Sequence, residues 1–248
     1  MKKLALIKLG GSILEDQGAI SSTIGQLNFL LRNRIFKNII IITGGGSYAN
    51  FIRYIDTKLD LEDDLAHWEA IISMDKNAED LHQKFPSTLL CENLSDLYNL
   101  IDKKSTKSNL IIFKPFNYLY ESDILPHSWM ITSDSIALHF SYKFQLEKCF
   151  LIKNIDGIIH INGNTIPNLT VKEFKTLKET NKFADIGENN NLLKKKTTPI
   201  DPYSLKLIER YGIPCIILNG TSSQQRIKQY FNKNSNQIST TIFPTKKN

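Results

Sequence analysis

The sequence predicts an α/β fold, a three-layer α/β/α sandwich with a mainly parallel central sheet. An apolar run over residues 4–9 stops at two glycines, and an isoleucine run over residues 39–42 stops at Thr43 and three glycines. Residues with helical spacing of apolar side chains follow each run. A repeated strand, glycine turn and helix is typical of parallel strands that helices cover on both faces. With 248 residues and 41% hydrophobic composition, we expect a single domain over residues 1–248.

The later elements follow from the same patterns. Helices are predicted over residues 19–34, 48–59, 66–85, 134–142, 202–211 and 222–231. Further strands are predicted over residues 88–91, 110–113, 149–152, 215–218 and 240–243. The polar stretch from Asn181 to Thr198 contains an asparagine run and three lysines. It predicts a long loop, and such loops are usually either functional lids or disordered.

Charge and cysteine content limit the classes of function. The net charge is +6, but lysine, asparagine and isoleucine are all abundant, so biased base composition explains it as well as an anionic ligand does. The sequence contains no basic helix with interleaved aromatic residues, so we expect no nucleic-acid partner. Three widely spaced cysteines predict reduced thiols, as in the cytoplasm, and not a disulfide or zinc framework.

The amino-terminal apolar run is too short for a signal peptide and is interpreted as a strand. No stretch approaches the roughly 20 apolar residues that a membrane helix needs. We therefore expect a cytoplasmic protein with a small-molecule substrate and no membrane partner.

The first candidate site residues are Lys8, Gly10, Gly11 and Ser12, at the end of the first predicted strand. The carboxyl edge of such a sheet is where ligands bind. Glycine lacks a Cβ, so its backbone N–H can approach a phosphate oxygen closely. A lysine beside this turn is suited to neutralise charge during phosphoryl transfer. An ordinary turn that ends a strand explains the same residues.

The second candidate turn is Gly44-Gly45-Gly46, which enters a predicted helix. Three glycines are costly to order, and a helix amino terminus attracts anions. Two such turns on separate strands indicate two facing anion positions, for a donor phosphate and an acceptor. A simple tight turn is the alternative, and neither a Walker A loop nor GxGxxG is present.

Two further stretches lie near predicted strand ends. Asp134 follows Ser133, a candidate helix cap. Asp134 is interpreted either as part of that cap or as a group that orients Lys8 or binds magnesium indirectly. Lys153 and the pair Asp156-Gly157 follow the strand over residues 149–152. They are either a turn or part of a nucleotide pocket.

These pieces, in this order, resemble the amino acid kinase family over nearly the whole chain. The family's opening K-[LI]-G-G-S corresponds to Lys8–Ser12, its GGG turn to residues 44–46, its D-x-x-A to Asp134–Ala137 and its xDG to Asp156-Gly157. The resemblance implies the family's fold, ATP and Mg²⁺ as cofactors, and a homo-oligomer. Lys8 and Asp134 would be catalytic. Nucleotide or phosphate contacts would come from Gly10, Gly11, Ser12, Lys153, Asp156 and Gly157.

A finer resemblance lies in residues 64–75 and 125–137. Both stretches are similar to a subgroup, the aminomethylfuran phosphate kinases of methanofuran biosynthesis. The implied reaction converts (5-(aminomethyl)furan-3-yl)methyl phosphate to its diphosphate. Kinases of the uridylate or isopentenyl phosphate type, and a non-catalytic nucleotide or oxyanion binder, are the alternatives.

The acceptor site would comprise Gly44, Gly45, Gly46, His67 and Asp75. His67 and Trp68 fall on an amphipathic helix. They are either core residues or part of a pocket for a furan ring, in which His67 or Asp75 binds the amine or phosphate. Asp63 and Asp64 are alternative partners for that amine.

The chain departs from the family pattern at two places. Lys153-Asn154 stands where the family usually has threonine. The second catalytic lysine of several relatives has no clear counterpart, and Lys194, Lys195 and Lys196 are candidates only by their position in the predicted loop.

Overall fold

The computed structural model describes residues 2–102, 107–184, 199–221, 223, 225–232 and 237–245. The strands are β1 (Lys2–Leu9), β2 (Phe36–Thr43), β3 (Leu89–Cys91), β4 (Asn109–Phe113), β5 (Cys149–Lys153), β6 (Ile158–Ile159), β7 (Thr165–Ile166), β8 (Asn168–Thr170), β9 (Cys215–Asn219) and β10 (Thr240–Phe243). The helices are α1 (Gly11–Glu15), α2 (Gln17–Arg32), α3 (Gly46–Leu59), α4 (Asp63–Lys84), α5 (Leu94–Asp102), α6 (Phe116–Ser122), α7 (Ser133–Lys143), α8 (Val171–Glu179), α9 (Pro202–Tyr211) and α10 (Arg226–Phe231).

The central sheet has eight strands in the order β3-β4-β2-β1-β5-β9-β10-β8. Every pairing in it is parallel except that of β9 with β10. Strands β6 and β7 form a separate antiparallel pair. The mainly parallel sheet with flanking helices confirms the predicted fold class.

Apolar side chains cover both faces of the sheet, because neighbouring residues of a strand point to opposite sides. Leu6 is aligned with Ile40 and packs in one cluster with it, whereas Ile7 is aligned with Ile41 and packs in the other. Lys8 follows Leu6 by two residues, so its side chain leaves the sheet on the face of the first cluster. That face also receives α7 and α9.

The sequence located the long elements within a few residues but missed several short ones. The helix predicted over residues 222–231 was too long: α10 begins at Arg226, and residue 222 lies outside the described residues. The missed elements are α1, α5, α6, α8, β6, β7 and β8. One of them had a recognisable signal, because Thr170 and Glu173 form a capping box at the start of α8.

Three further sequence predictions concern the long loop, the cysteines and membrane helices. Residues 185–198 of the predicted loop, with Lys194, Lys195 and Lys196, lie outside the described residues. Cys91, Cys149 and Cys215 are free and buried. Within the part of the chain that the structure describes, no helix is long and apolar enough to cross a membrane.

Candidate active site

The carboxyl ends of β2, β1, β5 and β9 lie side by side and bring the predicted motifs together. The Gly10 N–H donates to Ile152 O at 2.8 Å, and the Gly44 N–H donates to Leu9 O at 2.7 Å. These bonds continue the sheet pairing past the strand ends. The N–H groups of Gly10 and Gly44 are therefore used within the protein, which contradicts the prediction that the glycines of both turns donate to phosphate.

The two glycine turns touch each other. A Cβ on Gly11 would lie 2.6 Å from the Gly46 Cα, so only glycine fits there. Gly46 also has φ +54°, a conformation that favours glycine. Gly11 and Gly46 are the first residues of α1 and α3, and Ser12 is the second of α1. The first N–H groups of a helix lack partners within it, so both turns offer donors and a positive dipole end to an anion.

Glu15, which the sequence reasoning missed, connects α1 to the start of α3. Its Oε1 accepts a hydrogen bond of 2.6 Å from the Ser47 N–H. An acidic side chain is favourable at this end of a helix. Glu15 therefore fixes the angle between the two turns.

Asp134 joins two lysines that come from neighbouring strands. Its Oδ1 lies 2.8 Å from Lys8 Nζ, and its Oδ2 accepts a hydrogen bond of 2.7 Å from Lys153 Nζ. Lys8 is near the end of β1 and Lys153 is the last residue of β5. Because Lys8 and Lys153 lie on two sides of one carboxylate, two ammonium groups are held close together beside the glycine turns.

Burial and charge act against each other in this cluster. Burial alone would raise the pKa of Asp134, but the charges of Lys153 and Lys8 outweigh it and hold the pKa at about 2. Burial lowers the pKa of Lys8, while Asp134 opposes that shift. Asp134 thus lies between the amino groups of Lys8 and Lys153 at the carboxyl edge of the sheet.

Asp201 fixes the start of α7, where Asp134 lies. Its carboxylate accepts hydrogen bonds from the hydroxyls of Thr132 and Ser135, both at 2.6 Å, and caps α9 through the Ser204 N–H. Burial, and then the charge of Asp134, raises the pKa of Asp201. Ser133 was the predicted cap of α7, and this is wrong. The cap is Thr132, whose hydroxyl accepts a hydrogen bond from the Asp134 N–H. Asp201-Pro202 is itself a recognisable helix start that we missed.

Asp156 is held in place by Arg226 and Asn219. Arg226 Nε donates to its Oδ1 at 2.9 Å, and Asn219 Nδ2 donates to the same oxygen at 3.2 Å. Gly157 has φ +123°, and a Cβ there would meet the Thr240 hydroxyl. The stretch after β5 is thus tied to β9, α10 and β10 at the same edge of the sheet as Lys153.

Helix α4 supports the second glycine turn from the other side. The Thr43 hydroxyl donates to Met74 O and Asn77 Nδ2 donates to Gly44 O, both at 2.7 Å. The Ala70 carbonyl lies 3.5 Å from where a Cβ on Gly45 would be. The residues of α4 nearest the turn are therefore 70, 74 and 77.

His67 and Asp75 are not brought together. They are eight residues apart on α4, about 12 Å along its axis. Asp75 accepts a hydrogen bond of 3.3 Å from the Phe116 N–H, and burial raises its pKa to about 7. Asp75 thus faces α6 and not the glycine turn, so the structure does not support the expectation that it binds the acceptor.

His67 lies in a small pocket with Asp63, Ala70, Ser128 and Trp129. It is 8% exposed and stacks on His127 at 4.3 Å between ring centroids. Burial, and then the charge of His127, lowers the pKa of His67 to about 4. The ring is thus neutral near pH 7, and it lies about one helical turn before Ala70, whose carbonyl is next to Gly45.

Trp129 also lines this pocket, and two residues of α3 contact its ring. Trp129 Nε1 donates to Asp56 Oδ2 at 2.7 Å, and the Arg53 guanidinium lies 4.5 Å from the Trp129 ring. His127 contacts Asp64 and Asp123 at 2.6 and 2.8 Å, and these contacts raise its pKa. Burial lowers the pKa of Arg53.

Comparison with known proteins identifies the family. The model described as amino acid kinase family matches residues 3–219. The chain belongs to the amino acid kinase family. It is an ATP-dependent phosphotransferase of that family.

Two relatives show the range of activities within this family. The chain is 31% identical over 175 residues to the [5-(aminomethyl)furan-3-yl]methyl phosphate kinase of Methanocaldococcus jannaschii, an alignment that covers 66% of this chain and 77% of the relative. It is 22% identical over 232 residues to the uridylate kinase of Methanococcoides burtonii, with 89% and 88% covered.

Solved structures of other kinases share the fold. The UMP kinase of Ureaplasma parvum has a TM-score of 0.65 at 15% identity and covers 98% of this chain and 99% of its own. The uridylate kinase of Archaeoglobus fulgidus has the same TM-score at 16% identity, with 97% and 99% covered.

Proposed function

We propose that this kinase transfers the γ-phosphoryl group of ATP to the phosphate of (5-(aminomethyl)furan-3-yl)methyl phosphate. The products are its diphosphate and ADP, in a step of methanofuran biosynthesis. The observation that carries the proposal is the pair of lysines, Lys8 and Lys153, on one carboxylate beside two touching glycine turns. The choice of acceptor rests on the similarity to the Methanocaldococcus jannaschii kinase.

Lys8, Lys153 and Asp134 have different tasks in this mechanism. An oxygen of the acceptor phosphate attacks the γ-phosphorus, and the bond to the β–γ bridging oxygen breaks. Lys8 and Lys153 neutralise the negative charge of the phosphoryl group in transit, which is the main demand of this reaction. Asp134 holds both ammonium groups in place. The acceptor phosphate is already an anion at neutral pH, so no general base is needed.

The nucleotide would occupy the side of β1 and β5, and the acceptor the side of β2. The N–H groups of Gly11 and Ser12 would donate to the donor phosphates, and those of Gly45 and Gly46 to the acceptor phosphate. Asp156 and Gly157 would line the nucleotide pocket, with Asp156 fixed there by Arg226 and Asn219.

The residues present fit a magnesium ion that is carried on the phosphates. Both oxygens of Asp134 are engaged by lysines, and no group of three or more candidate ligand side chains is placed to hold a metal among the described residues. Mg²⁺ commonly binds through substrate phosphates and water, where it neutralises charge on the β- and γ-oxygens. The expected homo-oligomer and cytoplasmic location stay predictions.

A coupled assay of ADP release with purified protein, ATP and Mg²⁺ tests the proposal. The acceptors are the aminomethylfuran phosphate, UMP and isopentenyl phosphate, each at several concentrations. We expect the aminomethylfuran phosphate to have the highest kcat/KM. Preference for UMP or isopentenyl phosphate would replace the acceptor but keep the reaction class. ATP binding without ADP release on any acceptor would indicate a non-catalytic binder.

A further inference from the structure

The second glycine turn is enclosed by groups from two other helices. A Cβ on Gly46 would lie 3.0 Å from Glu15 Oε1, 3.3 Å from Asn77 Nδ2 and 3.6 Å from the Gly11 Cα. Glu15 belongs to α1 and Asn77 to α4. Gly46 is therefore the point at which α1, α3 and α4 meet, and the side chains of Glu15 and Asn77 fill the space that a larger residue would need.

Glu15 is the polar link between α1 and α3. Its Oε1 accepts a hydrogen bond of 2.6 Å from the Ser47 N–H, which belongs to the first turn of α3. Within the part of the chain that the structure describes, no other side chain of α1 has a hydrogen bond to α3. The N–H groups of Gly10 and Gly44 hold the ends of the strands together. Glu15 holds together the helices that follow them.

Binding affinity does not explain a carboxylate at this position. Ser47 follows Gly46 directly, so Glu15 lies beside the N–H groups that would receive the acceptor phosphate. Like charges repel at such short range, and the charge of Glu15 therefore weakens the binding of a phosphate. Alignment of the reacting groups explains it better, because a displacement of about 1 Å can cost about 100-fold in rate.

We propose that Glu15 is a positioning residue for phosphoryl transfer, which fixes the separation between donor and acceptor phosphates by holding the Ser47 N–H. This inference rests on the proposed function, in which the first glycine turn binds the donor phosphates and the second binds the acceptor phosphate. Glu15 acts through α3 and not through contact with either substrate.

Asn77 supports the same turn in a different way. Its Nδ2 donates to Gly44 O at 2.7 Å, and among the described residues it has no hydrogen bond to α1. Loss of Asn77 would disturb the second turn itself. Loss of Glu15, which is exposed, should leave the fold and each turn intact but allow the turns to move relative to each other.

Adenosine 5′-tetraphosphate tests this separation without turnover. Its first three phosphates correspond to those of ATP, and its fourth is a stand-in for the acceptor phosphate. A ligand that spans two sites gains affinity only where the geometry allows it to occupy both at once. Calorimetric titration in the presence of Mg²⁺ gives the Kd of the tetraphosphate and of ATP.

The titrations compare the wild type with Glu15→Ala, Glu15→Gln and Glu179→Ala. Glu15→Ala removes the hydrogen bond to Ser47, whereas Glu15→Gln keeps an oxygen that can accept it. Glu179 is an exposed residue at the end of α8, so its variant is a control for the loss of one negative charge. Thermal melting checks that each variant is folded.

We expect the wild type and Glu179→Ala to bind the tetraphosphate at least about tenfold more tightly than ATP. Glu15→Ala should reduce that ratio to about threefold or less, while its Kd for ATP changes by no more than about threefold. Glu15→Gln should keep the ratio of the wild type. In the assay of ADP release, Glu15→Ala should lower kcat by roughly 10–100-fold with little change in KM for ATP.

An unchanged ratio in Glu15→Ala would overturn the inference. So would an equal loss in Glu15→Gln and Glu15→Ala, or a wild type that binds the tetraphosphate no better than ATP. Absence of ADP release with every acceptor would instead disprove the proposed function, and the ratio of the two Kd values would still decide this inference.

Discussion

Asp134 Oδ1 lies 2.8 Å from Lys8 Nζ, and the two side chains are 3% and 6% exposed. A buried ion pair is costly to desolvate and contributes little net stability compared with apolar residues of the same volume. Here the carboxylate also binds Lys153. We therefore interpret the cluster as a means of keeping positive charge at the edge of the sheet. Lys8, Asp134 and Lys153 can each be tested by substitution.

Lys8→Ala should lower kcat by roughly 10²–10³-fold, because it removes charge stabilisation at the transferring group. The fold should survive, since Asp134 keeps Lys153 as its partner. ADP release at saturating substrates measures the first effect, and circular dichroism with thermal melting measures the second. Turnover close to that of the wild type would show that Lys8 has no part in the reaction.

Asp134→Asn should lower the free energy of unfolding by about 3–5 kcal/mol, because it leaves a buried lysine without its counter-charge. The triple variant Lys8→Met, Asp134→Leu and Lys153→Met removes every charge of the cluster and should recover much of that stability but no activity. Urea unfolding of the single and triple variants measures stability, and ADP release measures activity. If the triple variant is no more stable than Asp134→Asn, the loss comes from packing and not from charge.

Lys153→Thr places the residue usual in this family at this position and removes one of the two ammonium groups. We expect kcat/KM for ATP to fall by roughly 10–100-fold, from the loss of one charge-assisted contact to phosphate. Lys175→Thr, at an exposed position on α8, is the matched control and should leave the kinetics unchanged. An unchanged kcat/KM in Lys153→Thr would mean that the second positive charge comes from another residue.

Gly11→Ala should reduce activity more than stability. Its Cβ would lie 2.6 Å from the Gly46 Cα, so the two turns must separate and the anion positions with them. Gly25→Ala is the control, because its Cβ would meet nothing within 4 Å in the exposed face of α2. That variant should gain up to about 1 kcal/mol of stability. Equal activity of the two variants would contradict the close approach of the turns.

Asp75→Asn should change the pH dependence of stability and leave acceptor KM unchanged. Burial raises the pKa of Asp75 to about 7, so the folded protein holds a proton there that the unfolded chain loses near pH 4. The stability that Asp75 contributes is present below pH 4 and is lost as the pH rises through about 7. Relative to the wild type, Asp75→Asn should therefore be more stable at pH 8 than at pH 5. Urea unfolding at both pH values measures this, and parallel curves would contradict it.

Much of this architecture follows from local sequence. The apolar runs of β1, β2, β5 and β9 predict buried strands, and their glycine endings predict turns at one edge, because parallel strands end on the same side. The short helices were missed because they contain too few residues to show a helical spacing of apolar side chains. Helix α6 has seven residues, and one of its side chains, Leu119, is buried. Such elements are stable through packing and not through propensity.

The sequence by itself determined the fold class, the family and the group of motifs around Lys8 and Asp134. Only the tertiary structure decided that Lys153 shares the carboxylate of Asp134, that Gly11 touches Gly46, and that Asp75 faces away from His67. The physical reason is distance along the chain. Periodicity fixes which face of an element is buried, but contacts between residues far apart in sequence depend on strand order and helix rotation, which local patterns do not encode.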